Sequence, residues 1–318
     1  VVTLLLCVRC LPLTWCIGST SSSSALQSAA RWHRAEGSLA HRATLGCPLR
    51  CRTKGVVARA ASEGDEIGGL VLEEVIGSGG FGTTWRARAG VDDVGSSLAG
   101  DLGLSAGQLV ALKLVKLEDG WDSLQRFERE VSVLRRLDHP RIPKYFGTVL
   151  RDRANGRDYG IVSTLVNGTP LDFLVQDGRW SAGASAIRNL AESLLEVAAH
   201  LATFAPPIVH RDIKPANIVL EPDGAGWKAF LVDFGAAVLG GGTKTTAVGT
   251  FGFMAPETFG QVVSPKSDLY GIGASLLFAA TGREPSSFPQ NRLRLQYRDA
   301  FVGTVWEREE AWLAELLD

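Results

Sequence analysis

Beyond residue 51 this chain of 318 residues has no cysteine: Cys7, Cys10, Cys16, Cys47 and Cys51 account for all five. That absence excludes a disulfide framework, or a cysteine-ligated metal, as a support for what folds downstream. The pair Cys47/Cys51 has neither a second ligand pair nor a histidine cluster beside it and reads as incidental. An excess of either charge is missing too. With 33 basic and 34 acidic residues the net charge is −1, which leaves no electrostatic footprint for nucleic acid. Long apolar runs are also absent. Residues 1–17 are mostly apolar but include Arg9 and Pro12, and they fall short of the roughly 20 apolar residues of a membrane span. Apolar content of 45% and charged content of 21% then describe a globular chain, with room for one large or two ordinary domains.

The first residue is Val, and acidic side chains are nearly missing before Glu63, where Glu36 stands alone. A Ser run from Ser19 is followed by scattered Arg31, Arg34, Arg42, Arg50, Arg52, Lys54 and Arg59. Such Ser-rich, Arg-rich, acid-poor composition is that of an organelle transit peptide. The run Val56-Val57-Ala58-Arg59-Ala60-Ala61 resembles a small-residue processing site of the plastid type. Residues 1–62 are therefore expected to be a targeting segment, with the plastid as destination and the cytoplasm as the alternative. A disordered tail, a mistranslated upstream stretch and a two-part presequence stay open.

What the chain does have is a series of polar clusters pinned between apolar runs. The densest is His210-Arg211-Asp212-Ile213-Lys214-Pro215-Ala216-Asn217, between Pro207-Ile208-Val209 and Ile218-Val219-Leu220. This is the sequence form of a rigid loop held by two short strands. Upstream, Leu70–Ile76 reads as a strand leading into Gly77-Ser78-Gly79-Gly80-Phe81-Gly82, whose glycines at 77, 79 and 82 let backbone approach phosphate oxygens. A dinucleotide-binding fold would want a helix directly after such glycines; Thr83-Thr84-Trp85 favour a strand, so a hairpin is expected. Residues 89–107, rich in Gly, Ser and Asp, are expected to form an extended surface loop. In Leu109–Val115 strand alternation puts Ala111 and Lys113 on one face, where a lone lysine is costly unless paired. Ser123 to Leu137 reads as a helix with Phe127, Glu130, Leu134 and Leu137 in one stripe and Glu128 off it; prolines follow and end it. Tyr159–Gly168 reads as a strand and connector, Ser185 to Phe204 as a mostly buried helix, and Phe230–Gly235 as a strand ending in Asp-Phe-Gly.

Together and in this order, these segments resemble the eukaryotic-like (Hanks-type) serine/threonine protein kinases over about residues 68–318. The wording of Gly249–Glu257 and Ser267–Gly271 is nearer to bacterial, including cyanobacterial, members. The resemblance implies an α+β, bilobal fold: an N-terminal antiparallel five-stranded sheet plus one helix (68–164), then a mainly helical C-terminal lobe (165–318). It implies transfer of the γ-phosphoryl group of Mg-ATP to Ser/Thr hydroxyls of protein substrates. Asp212 would orient the hydroxyl and accept its proton, and Lys214 would neutralise phosphoryl charge. Lys113 would hold phosphates, braced by Glu130, while Asn217 and Asp233 would hold Mg²⁺. Ile76, Gly77, Gly79, Gly82, Thr84, Ala111, Lys113, Thr164, Val166 and Val219 would surround the nucleotide, with Ser163 guarding its back. Thr84 departs from the family's usual Val, and Thr164 from a common Glu.

Further expectations come partly from the residues themselves and partly, for Thr250 and Asp268, from the resemblance. Thr245 or Thr246, once phosphorylated, would pair with Arg211. Thr250 would bond Asp212 and Lys214. Ser267 would cap the next helix, and Asp268 would anchor the catalytic-loop backbone. Trp306 to Leu317 would be helical, in two further helices with the rest of the lobe. No residue can be assigned to pair with Glu257 of Ala-Pro-Glu, so the lobe is expected to be incomplete at its C-terminal end. Two rivals remain: a nucleotide-binding pseudokinase scaffold, favoured by Thr84 and by that incompleteness, and a small-molecule phosphotransferase. Lys113, Glu130, Asp212, Asn217 and Asp233 argue against the first, and the peptide-docking segment Gly249–Glu257 against the second. Nothing in these residues bears on oligomeric state.

Overall fold

Period-two alternation of apolar residues builds the first half of the molecule. The computed structural model describes residues 60–302, apart from 80–81, 93–94, 96, 117–120, 154–155, 182, 225, 241–248 and 293. The proposed targeting stretch up to residue 59, Thr245, Thr246 and Trp306–Leu317 thus lie outside the described residues. Six strands form one antiparallel sheet: β1 (Glu66–Ile67), β2 (Leu70–Gly79), β3 (Gly82–Ala89), β4 (Leu109–Lys116), β5 (Tyr145–Arg153) and β6 (Gly156–Thr164), in the order β1-β2-β3-β4-β6-β5. Five strands were expected; the sixth is β1, which turns back at Gly68-Gly69 so that Ile67 pairs with Leu70 and is buried. A strand, not a helix, follows the glycines: Gly79 pairs with Gly82 across the hairpin.

One face of the sheet buries Leu70, Leu72, Trp85, Ala87, Val110, Leu112, Val149 and Val162 in a core of its own. Residues 89–107 correct the expectation of a plain surface loop. They contain a 3₁₀ turn at Gly100–Leu102, and Ala99 and Leu104 are buried in that same core. Two small anchors spaced among polar residues have no period to read.

Between β4 and β5 runs helix α1 (Trp121–Leu134), which ends before the expected Leu137, although Leu137 is still buried. Its phase is as expected, with Phe127, Glu130 and Leu134 buried and Glu128 exposed. The second half includes β7 (Thr169–Pro170), α2 (Leu171–Gln176), α3 (Ala184–Ala202), β8 (Ile208–Val209), β9 (Ile218–Asp223), β10 (Gly226–Leu231), β11 (Val238–Leu239), α4 (Pro256–Phe259) and α5 (Pro265–Thr281). After α5 the described residues hold 3₁₀ turns and the short strand pair Gln290–Asn291 and Arg294–Leu295, where a helix was expected. Helix α3 buries Ile187, Leu190, Leu194, Leu195, Val197 and Leu201. Helix α5 is buried almost continuously from Gly271 to Ala279, a helix at the centre of its lobe. The loop 210–217 leaves β8, paired with β11, and enters β9, paired with β10. Both of its ends are therefore fixed.

The start of α5 also differs from expectation. Ser264, not Ser267, is the N-cap; Pro265 follows at the first helical position, where its missing N–H is no loss. Ser267 completes a capping box by accepting the Ser264 N–H at 3.3 Å. No helix among the described residues is long and apolar enough to cross a membrane.

The core of the second lobe yields a stability prediction. Leu276 is fully buried, so Leu276→Ala is expected to destabilise the protein by about 2–5 kcal/mol, through lost transfer energy plus a cavity. Leu150→Ala, at a side chain 55% exposed, should change stability by less than about 0.5 kcal/mol. Urea unfolding of the two variants beside wild type makes the comparison.

Candidate active site

The sheet's other face and the second lobe bound a cleft of about 680 Å³. Alternation along β4 turns Ala111 and Lys113 into it, and pairing of β4 with β3 brings Thr84 directly opposite Lys113. The Lys113 ammonium lies 2.7 Å from Glu130 Oε1 on α1 and 2.6 Å from Asp233 Oδ1, just after β10. Burial opposes the charge on Lys113, but the two carboxylates outweigh it and raise the lysine above its ordinary range. Asp233 is held low: burial would raise it, and Lys113 more than reverses that. Glu130 is shifted up, because burial raises it, Lys113 pulls it down, and the negative charge of Asp233 adds to the rise. Gly235 makes this packing possible. A Cβ there would stand 2.9 Å from Lys113 Nζ and 3.2 Å from Glu130 Oε2, so a side chain would push on the paired groups.

A second cluster centres on Asp212, which is 7% exposed. Its Oδ2 takes Lys214 Nζ at 2.9 Å and the Asn217 amide N–H at 3.2 Å; its Oδ1 accepts the Thr250 hydroxyl at 2.9 Å. Lys214 also donates to Thr250 Oγ1 at 2.7 Å. Asp212 is thus held by three side chains while keeping one acceptor position unused, since a carboxylate offers about four. Two non-glycine residues beside these clusters adopt positive φ, Arg211 at 69° and Asp233 at 60°, which is uncommon and needs support. Support for Arg211 comes from Asp268, which accepts its N–H at 2.9 Å and that of His210 at 2.8 Å, and from its own Nε bond to Ala236 O at 2.6 Å. Burial keeps the His210 ring neutral by lowering its pKa; Nε2 donates to Val232 O at 3.2 Å and Nδ1 faces the Asp212 N–H.

The residues nominated from sequence all line this one cleft: Ile76, Gly77, Gly79, Gly82, Thr84, Ala111, Lys113, Glu130, Thr164, Val166, Asp212, Lys214, Asn217, Val219 and Asp233. Ser163 lines it as well. Sequence reasoning missed Asp172 and Phe173, in the first turn of α2 just past the connector, which also line it. It missed Arg129 too, whose charge lies close enough to Arg211 to add to the lowering that burial causes there. A carboxylate in a helix's first turn, or an arginine beside a buried Glu, has no signal beyond its neighbours.

A divalent cation fits two of these residues. The Asn217 amide nitrogen is committed to Asp212 O at 2.8 Å and to Asp212 Oδ2, which leaves its side-chain oxygen as the remaining donor atom. Asp233 engages Lys113 and the Gly235 N–H through Oδ1, leaving Oδ2 without a hydrogen bond among the described residues. No group of three or more His, Cys, Asp or Glu able to hold a metal occurs among those residues. Two side-chain oxygens of this kind suit a hard divalent cation, which takes oxygen ligands.

A family profile described as the protein kinase domain matches residues 70–310. The chain belongs to the protein kinase family. Its sequence is 37% identical over 229 residues to the serine/threonine-protein kinase PkaA of Streptomyces coelicolor, covering 68% of this chain and 39% of that protein. It is 30% identical over 224 residues to the serine/threonine-protein kinase PknA of Mycobacterium tuberculosis, covering 67% and 47%. To the cysteine-rich receptor-like protein kinase 18 of Arabidopsis thaliana it is 29% identical over 256 residues, covering 76% and 34%. The chain therefore spans less than half the length of these relatives. The bilobal kinase fold, with its antiparallel sheet and helical second lobe, agrees with the family.

Asp268 gives this kinase domain a pH signature. Burial pushes its carboxyl up to about 7, against the pull of the two N–H groups and of the Arg211 guanidinium. Because that lies above the 3.8 of an ordinary Asp, the folded state binds the extra proton between the two values, and this group's contribution to stability falls as pH rises through them. Asp268→Asn cannot titrate. The gap between its urea midpoint and that of wild type should narrow from about pH 5 to about pH 8. A constant gap would mean that the N–H groups outweigh burial and keep Asp268 ionised.

Proposed function

We propose that the chain is a protein serine/threonine kinase that transfers the γ-phosphoryl group of Mg-ATP to Ser/Thr hydroxyls of protein substrates. The observation that carries the reading is Asp212, buried at the floor of the cleft and held by Lys214, Thr250 and Asn217, opposite the Lys113–Glu130–Asp233 triad.

Adenine would lie between Ala111 and Val219, facing the backbone of Thr164 to Val166, with the triphosphate under the Gly77–Gly82 hairpin. Thr84 is compatible with this, because it keeps the β-branch of Val and lines the cleft. Lys113, charged at neutral pH, offers its ammonium to the phosphate oxygens. Asn217 and Asp233 would hold Mg²⁺, which would supply positive charge to offset that of the phosphates. Asp212 orients the attacking hydroxyl and accepts its proton, and Lys214 meets the negative charge in transit. Lys214 two residues after Asp212, bonded to Thr250, supports Ser/Thr over Tyr specificity, as do the printed names of the bacterial relatives. Nothing in the site favours a scaffold that only binds nucleotide. The regulatory reading, in which phosphorylated Thr245 or Thr246 pairs with Arg211, gains a second cation in Arg129.

The test is transfer from Mg-ATP to a generic protein substrate by the full chain. Asp212→Asn should lower the rate by about 10²–10⁴-fold while retaining nucleotide binding. Chelating Mg²⁺ should stop transfer and adding it back should restore it. A wild type that transfers nothing, or an Asp212→Asn variant that matches it, overturns the reading.

Composition alone supports plastid targeting by the Ser- and Arg-rich residues before Glu63, with the cytoplasm as the alternative. Residues 1–62 fused to a fluorescent protein should direct it to plastids; a diffuse cytoplasmic signal would rule targeting out.

A further inference from the structure

The first two turns of α5 face two different loops. Asp268 holds the backbone of the catalytic loop at His210 and Arg211. One residue earlier Ser267, 6% exposed, donates its hydroxyl to Glu257 Oε1 at 2.9 Å. One turn further on, Gly271 lies against both loops: a Cβ there would stand 3.0 Å from the Ile213 carbonyl oxygen and 3.5 Å from that of Phe253. Glu257 ends the segment that starts at Gly249, and near the start of that segment Thr250 donates to Asp212 and accepts from Lys214. The segment is therefore fixed to the catalytic carboxylate at one end and to Ser267 at the other. The catalytic loop is fixed to the very next residue, so the two loops share one anchor.

We infer that Ser267 is a positioning residue for the protein substrate: through Glu257 it holds the 249–257 segment in register with Asp212. The inference rests on the kinase reading above. Nucleotide-side anchorage is independent of it, because Lys113, Glu130 and Asp233 belong to β4, α1 and the turn after β10, none of them on α5. Loss of the Ser267 hydroxyl should therefore weaken engagement of the protein substrate and spare the nucleotide.

Ser267 also belongs to the capping box, so its loss would disturb the helix start as well. Ser264 supplies the control, since its side chain caps the same turn without touching Glu257. Steady-state transfer to a peptide, titration with a fluorescent nucleotide, and hydrogen exchange of residues 250–257 are compared for wild type, Ser267→Ala, Ser267→Thr and Ser264→Ala. Ser267→Ala should raise the peptide KM roughly tenfold, the scale of one hydrogen bond to a charged group. Its kcat and nucleotide affinity should stay near wild type, and exchange in 250–257 should speed up. Ser267→Thr should restore both readouts, and Ser264→Ala should leave the peptide KM near wild type. Equal effects of Ser264→Ala and Ser267→Ala would reduce the role to helix capping and overturn the inference. So would a loss of nucleotide affinity that parallels the rise in KM. If wild type transfers no phosphate, the kinase reading fails, while the exchange comparison still decides whether Ser267 holds the segment.

Discussion

A buried ammonium cannot stand unpaired, and that constraint at Lys113 organises this molecule. Satisfying it requires a strand, a helix and the turn after β10 to arrive within 3 Å of one nitrogen, which they do through Glu130 at 2.7 Å and Asp233 at 2.6 Å. The sheet and its helix are thereby tied to the second lobe at the point where the cleft opens. Removing either carboxylate would leave Lys113 paired with the other, whereas removing Lys113 would leave two carboxylates buried side by side without a counter-charge, a defect on the order of 3–5 kcal/mol. The same triad crowds Gly235, where a side chain would push on the paired groups. It also leaves Asp233 Oδ2 available, so the structural ion pair and a cation site share one carboxylate without competing for the same oxygen.

The second cluster follows a different rule. Asp212 is fixed less by charge balance than by the backbone around it. Arg211 at φ 69° turns the chain so that His210 points inward and Asp212 toward the cleft. A β-substituted residue in that conformation costs of order 1–3 kcal/mol, which the two Asp268 hydrogen bonds and the Arg211–Ala236 bond offset. Asp268 does this at a cost of its own, seen in its upward shift on burial. The strain is local and its compensation sits one helix away.

How much of this could be read from the sequence depended on how far apart the interacting residues lie. Glu130 was legible because a helical stripe is local: its phase against Phe127 and Leu134 fixes the face it presents. The strand after the glycines was legible for the same reason. The bond from Lys113 to Asp233 spans 120 positions, and only the resemblance to a family could bring those residues together in advance. Local reading failed where small differences decide. Ser264 and Ser267 are both good caps, and the choice fell to Pro265, which suits the first helical position and sets the start three residues earlier. The two-residue β1 is too short for any period, and Ala99 and Leu104 are lone anchors in polar surroundings.

The arrangement also bears on why a binding-only protein is a poor description of it. Nucleotide binding needs the cavity, the glycine hairpin and Lys113; it gains nothing from an aspartate buried to 7% exposure and braced by a lysine, a threonine and an asparagine. Nor does it need Arg211 held at positive φ by a buried carboxylate. Those features carry energetic costs that serve the orientation of one group, Asp212, relative to the phosphate end of the cleft. Orientation of that kind has value only when a bond is to be made or broken, because it raises the fraction of encounters with reacting atoms aligned. Thr250 extends the argument to the acceptor: its hydroxyl couples Asp212 and Lys214 to the very segment that Ser267 anchors through Glu257. On the proposed kinase reading, Thr250 thereby joins the catalytic carboxylate to the segment that would meet the protein substrate.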